Sequence, residues 1–141
     1  MNLTIQCAWD ERVRAIPQKT QNSPVKLQID VAVRDGVTIL HCRGRITYRH
    51  EATRLSETVT RLLPTTRQLV LDLSGVEKID SAGLGELVLM SMRAKASHCS
   101  LRLAAPRPEI WELLRLTNLT SILDVHPSVP DAILSLVGRI A

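Results

Sequence analysis

From Leu27 the chain alternates: Leu27, Ile29, Val31 and Val33 are apolar, and Lys26, Gln28, Asp30 and Ala32 fall around them. A period of two predicts a strand with one wet face. Asp35-Gly36 supplies a hairpin turn, and Val37 to Arg43 returns as a second strand closing at Gly44. The period then changes. Between Tyr48 and Leu63, the residues Ala52, Leu55, Val59 and Leu62 recur at three- and four-residue steps, an amphipathic helix that Pro64 stops. Leu69 to Leu73 is a nearly unbroken apolar run, the pattern of a strand buried on both faces. A helical stretch follows from Ser81 to about Ser97, then a short strand from Ser100 to Ala104. Pro106 to Thr117 reads as a helix through Ile110, Leu113 and Leu114, and Ser121 to Val125 as a weak last strand. Ser128 caps a final helix with Ala132, Ile133, Leu136 and Val137 inward and Gly138 at its end.

The expected order is β-β-α-β-α-β-α-β-α. An antiparallel hairpin leading into crossover units gives an α/β fold with a mixed central sheet and helices packed on it. Residues 1–25 have weak periodicity, and Pro17 to Pro24 is a polar run, so 1–25 reads as a tail and linker and 26–141 as the folded domain.

Composition narrows the function. The 141 residues suffice for one core, and 45% hydrophobic with 23% charged residues is the balance of a globular protein. No apolar run has the length of a membrane span; the best candidate, Leu84 to Met92, is interrupted by Gly85, Glu86 and Ser91. The first seventeen residues mix Asp10 and Glu11 with arginines and lack the apolar block of a signal peptide, so a cytoplasmic location without direct membrane insertion is expected. The net charge of +4 comes from basic residues scattered singly, and Trp9, Trp111 and Tyr48 are the only aromatics. Stacking platforms for nucleic acid are therefore missing, and nucleic acid is not an expected partner. Cys7, Cys42 and Cys99 form no C-x-x-C. His41-Cys42 and His98-Cys99 suggest zinc, but neighbours on a strand face opposite ways and ligate poorly as a pair. Reduced core cysteines are the better reading, and no metal or cofactor is expected.

The chemistry concentrates in Asp80-Ser81-Ala82-Gly83-Leu84-Gly85. Ser81 stands where a helix opens, and the unpaired N–H groups and dipole of that end favour negative charge. Gly83 and Gly85 each cost up to about 1 kcal/mol relative to alanine inside a helix. Either they allow close packing of the helix start, or they leave the backbone open to a partner and a phosphate. Asp80 has two compatible roles: helix N-cap toward Ala82 or Gly83, or a carboxylate that orients the Ser81 hydroxyl. Along the helix, Leu84, Leu87, Val88 and Ser91 make the expected sheet-facing stripe. Leu89 and Met90, beside the polar sector of Glu86 and Arg93, are either an exposed docking pair, the expectation for the partner surface, or buried by neighbouring helices.

The run Leu69-Val70-Leu71-Asp72-Leu73-Ser74-Gly75-Val76-Glu77-Lys78-Ile79-Asp80-Ser81-Ala82-Gly83-Leu84-Gly85 resembles the centre of STAS domains, the family of bacterial anti-sigma factor antagonists. The likeness covers about Lys26 to Leu136. It implies a phosphoprotein without catalytic activity of its own, acting in signalling and transcription regulation through protein–protein interaction. Ser81 would be phosphorylated by an anti-sigma factor that is a histidine-kinase-like ATPase acting as a serine kinase, and restored by a phosphatase. Unphosphorylated, the protein would sequester that kinase; Asp80, Ala82, Gly83 and Gly85 would support the phosphosite, and Leu84, Glu86, Leu89, Met90, Arg45 and Thr47 would meet the partner. One departure stands out. Where many such antagonists carry Gly-Glu-Leu-Asp, this chain has Gly44-Arg45-Ile46-Thr47, so an acidic kinase contact is replaced by a base. The alternative is a structural STAS subunit of a lipid-transport or stress-signalling complex, docked permanently and never phosphorylated. A nucleotide-binding module lacks a Walker-type Gly-x-x-x-x-Gly-Lys. An enzyme is the least favoured class: no histidine has a carboxylate or nucleophile at a recognisable spacing, and Asp72 with Asp80 makes no acid–base pair.

Overall fold

Among the described residues five strands form one sheet in the order β1-β2-β3-β4-β5. The computed structural model describes residues 27–47 and 50–138; the expected tail and linker at 1–25, and the start of the first helix at Tyr48, lie outside these. β1 (Leu27–Arg34) and β2 (Val37–Ile46) make the antiparallel hairpin. Its turn residues Asp35 and Gly36 have φ of 54° and 80°, the left-handed pair that matches the twist of the flanking strands. β3 (Gln68–Ile79), β4 (Ser100–Ala104) and β5 (Val125–His126) then add in parallel. The crossovers are α1 (His50–Leu62), α2 (Ser81–Ala96) and α3 (Pro108–Leu116), and α4 (Val129–Val137) follows β5. The mixed sheet and the expected order of elements are both present.

Alternation along the central strands sorts side chains into two cores. Leu40 and Cys42 of β2 and Leu69, Leu71 and Leu73 of β3 pack with Leu55 and Val59 of α1, Leu87 and Met90 of α2, and Ile110 and Leu114 of α3. Val37, Ile39 and Val70 face the other way and meet Ala132, Ile133 and Leu136 of α4. α4 covers only part of that second face. Farther along the strands it presents His41, Arg43, Asp72 and Ser74.

β3 is longer than the run Leu69–Leu73 suggests, reaching Ile79. Its register against β2 slips twice, between His41/Arg43 and Gly44/Arg45, each time because β3 carries one extra residue. Leu73, Val76 and Ile79, three residues apart, therefore all enter the same core. β2 likewise runs on to Ile46. Two other boundaries move. α3 begins at Pro108 because Ala105 has φ of 58° and Arg107 is an extended cap, which puts Pro108 where its missing N–H costs nothing. The last strand is Val125–His126, not Ser121 to Val125: Asn118 at φ 62° leads into a 3-10 turn over Leu119–Ser121. The α4 cap is as expected, with the Ser128 hydroxyl accepting from the Asp131 N–H at 3.1 Å.

Candidate functional site

β3 delivers its last residue, Ile79, into the core, and the chain turns at Asp80 into α2. Asp80 has extended backbone, and its carboxylate Oδ1 accepts from the Gly83 N–H at 2.9 Å. Its carbonyl accepts from the Leu84 N–H at 2.9 Å, the first bond of the helix. The capping role expected of Asp80 is thus present. Ser81 is the first residue of α2 and is exposed.

The two glycines do different jobs. A Cβ on Gly83 would lie 2.1 Å from the Ile46 carbonyl oxygen and 2.9 Å from the Ile79 side chain. Gly83 is buried, and its bareness lets α2 start against the end of β2, the close-packing reading. A Cβ on Gly85 would meet nothing within 4 Å. Gly85 is exposed, so only there does the open-backbone reading remain.

The helix is rotated relative to the expected stripe. Gly83, Leu87, Met90 and Ala94 are its buried residues, at steps of four, three and four. Leu84 is half-buried against the core, while Val88 and Ser91 lie at its margin. Met90, expected in the docking surface, is 0% exposed and belongs to the core with Leu55 and Val59. This corrects the sequence reading. Apolar residues surround most of α2, so hydrophobicity gives it no direction; packing against α1 does. There Arg93 Nη1 donates to Ser56 Oγ at 3.0 Å and Thr60 Oγ1 at 3.3 Å. The outward line is Ser81, Gly85, Leu89 and Met92, at steps of four, four and three. Leu89 is 36% exposed and Met92 59%. Met92 was missed by sequence reasoning, although its spacing from Leu89 and Gly85 was available. Ala82 and Glu86 are half-buried beside this line.

Arg45 and Thr47 flank Ile46, whose carbonyl abuts Gly83. Their side chains go elsewhere. Thr47 is half-buried and its Oγ1 donates to Glu51 at 3.3 Å, while Arg45 lines a groove with Gln28, Arg43 and Arg107. The helix-mouth serine and the outward line of α2 thus come together, and Arg45 and Met90 do not join them.

A second polar arrangement has no counterpart in sequence spacing. His41 and Asp72 are cross-strand partners on the face away from α2, and His41 Nδ1 lies 2.6 Å from Asp72 Oδ2. An ionised carboxylate only accepts, so Nδ1 carries the proton. Burial raises the Asp72 carboxyl, but the Ser74 backbone N–H at 3.0 Å and then His41 outweigh it and hold it below the ordinary range. Cys42, the next residue, points into the first core, and burial, with Asp72 second, pushes its thiol up to about 12. His41 and Cys42 therefore serve opposite faces. Among the described residues no group of three or more His, Cys, Asp or Glu is placed to hold a metal, and no helix is long and apolar enough to cross a membrane.

Among the described residues a mixed five-strand sheet, whose third strand feeds a capped, serine-opened helix, defines an α/β class of domain. A STAS domain profile matches residues 28–132, and the chain belongs to the STAS family. Among solved structures it is similar to an anti-sigma factor antagonist from Mycobacterium paratuberculosis, with 24% identity over 80% of this chain and 96% of that one and a TM-score of 0.71. It is also similar to a Thermotoga maritima protein provisionally described as an anti-sigma factor antagonist, with 26% identity over 76% and 92% of the two chains and a TM-score of 0.69. The Bacillus antagonist SpoIIAA shares the fold in its unphosphorylated form (16% identity, 79% and 97% covered, TM-score 0.64) and its phosphorylated form (13%, 78% and 98%, 0.59).

Proposed function

We propose that the protein is an anti-sigma factor antagonist switched at Ser81. Unphosphorylated, it binds and sequesters a serine-kinase anti-sigma factor of the histidine-kinase-like ATPase type; phosphorylated, it lets go, and a phosphatase resets it. The observation that carries this reading is the exposed line Ser81–Gly85–Leu89–Met92, a hydroxyl at the head of an oily strip. A related fold, SpoIIAA, is known in both phosphorylated and unphosphorylated forms, which supports the same chemistry here.

The physics is local. A phosphate brings about −1.5 to −2 charges to one end of an apolar contact. Repulsion and the cost of desolvating the phosphate there need supply only about 2.8 kcal/mol to weaken binding a hundredfold. The fold tolerates the charge because the N-terminus of a 16-residue helix favours it. Asp80 already occupies the Gly83 N–H, so a phosphate on Ser81 would turn to the N–H groups of Ser81 and Ala82 or to solvent. The partner surface comprises Leu84, Gly85, Glu86, Leu89 and Met92. The protein itself is substrate and ligand, acting in the cytoplasm.

Incubation with a cognate anti-sigma kinase and ATP, followed by mass spectrometry, tests the reading. One phosphate is expected, absent in Ser81→Ala. Modification at Ser74 or Ser91, or none, would overturn the switch, and none with stable complex formation would favour permanent docking. Ser81→Asp should melt like the wild type yet bind the kinase about a hundredfold more weakly.

A further inference from the structure

Among the described residues no helix covers the second face of the sheet beyond α4, and there the chain gathers three arginines. An open groove of about 410 Å³ is lined by Gln28, Arg43, Gly44, Arg45, Gly75, Glu77 and Arg107. We propose that this groove binds a small multivalent oxyanion, one carrying two or more phosphate or carboxylate groups, held by Arg43, Arg45 and Arg107.

Arg43 and Arg45 lie at the carboxyl end of β2, Gly75 and Glu77 in the matching part of β3, and Arg107 three residues past the end of β4. In open α/β sheets ligands settle outside the carboxyl ends of the strands. Both register slips of β3 fall in this stretch, re-aiming side chains at the groove. Gly75 of β3 forms part of the floor. A Cβ on Gly75 would lie 2.3 Å from Arg43 Cγ and 2.9 Å from the Cys42 carbonyl oxygen, so glycine lets the Arg43 stem lie across β3.

Positive charge dominates the lining, with three arginines against one glutamate. Arg43 Nη2 donates to Gln28 Oε1 at 2.8 Å and stands 4.0 Å from Asp30, and Arg107 Nε donates to the Ser74 carbonyl at 3.3 Å. These bonds position two forks while leaving most of their donors uncommitted. Among the described residues the Arg45 guanidinium has no hydrogen-bond or ion-pair partner, and Glu77, the one carboxylate lining the groove, pairs with none of the three. Three guanidinium groups around one concavity repel one another until an anion arrives, and each fork suits an oxyanion in bidentate geometry. Among the described residues no aromatic ring lines the groove, and its arginines suit anionic groups. The site lies on the opposite face of the sheet from α2 and does not depend on the switch at Ser81.

Calorimetric titration of the full chain at low salt, with sodium tripolyphosphate and with citrate as probes, tests this. One-site binding that weakens with added salt is expected, and the tighter probe tells whether phosphoryl or carboxyl groups are preferred. Arg107→Gln and Arg45→Gln should each weaken binding about tenfold, the loss of a charge-assisted contact, with unchanged melting. Arg34→Gln, the same charge change at the hairpin end, and Ser81→Ala should leave affinity unaltered. Absence of both heat and amide chemical-shift changes with either probe would overturn the proposal. So would equal weakening by Arg34→Gln, which would mark diffuse attraction to a basic protein.

Discussion

His41 on β2 and Asp72 on β3, 31 residues apart, are joined Nδ1 to Oδ2 at 2.6 Å across parallel strands. Asp72 sits in the middle strand of the sheet with its side chain 11% exposed, and its second oxygen accepts from the Ser74 N–H. A carboxylate so placed is tolerable only because its acceptors are filled.

The pair gives a pH prediction. Because the folded Asp72 carboxyl is held below its unfolded value, its ionised form stabilises the protein above the ordinary carboxylate range. That contribution is lost as pH falls through the folded pKa, below about 4, the usual Asp value. Asp72→Asn should therefore lower the melting temperature at neutral pH, and the gap from wild type should close as pH falls below that range. A gap that widened in acid would contradict the assignment.

The glycines of α2 should respond with opposite signs. Gly83→Ala forces a methyl into the Ile46 carbonyl and should destabilise by about 1–3 kcal/mol. Gly85→Ala enters open space and should stabilise by up to about 1 kcal/mol through helix propensity. Urea denaturation of the two variants measures both.

The two methionines separate core from surface. Met90→Ala should cost about 2–5 kcal/mol, as for other buried truncations. Met92→Ala should stay within about 0.5 kcal/mol of wild type in stability. Under the proposed function Met92→Ala, like Leu89→Ala, weakens the partner complex without unfolding the domain.

The Asp80 cap can be isolated. Asp80→Ala should lose about 0.5–2 kcal/mol, and Asp80→Asn, which retains an acceptor for the Gly83 N–H, less than half of that. Thermal melts monitored by circular dichroism distinguish them.

Cys42 should be inert in the native state. With its thiol pushed up to about 12, almost no thiolate exists at pH 8, so alkylation should await unfolding. Peptide mapping after brief iodoacetamide treatment reads this directly.

Local periodicity was enough for the hairpin, the order of strands and helices, the caps at Asp80 and Ser128, and the serine at the mouth of α2. Each of these depends on side chains a few residues apart, where spacing and chemistry sit together on the chain. Three features needed the tertiary structure. The facing of α2 is set by α1 and the sheet, because apolar residues around most of its circumference point nowhere on their own; that is why Met90 went inward and Met92 outward. The length of β3 is set by pairing with β2, because Leu73, Val76 and Ile79 at three-residue steps look unlike a strand until two extra residues are bulged out. The His41–Asp72 bond and the arginine groove are set by register, which brings together residues from β2, β3 and the segment beyond β4. Short-range pattern reports what each element is; only the packing of one element on another decides which of its faces is left for function.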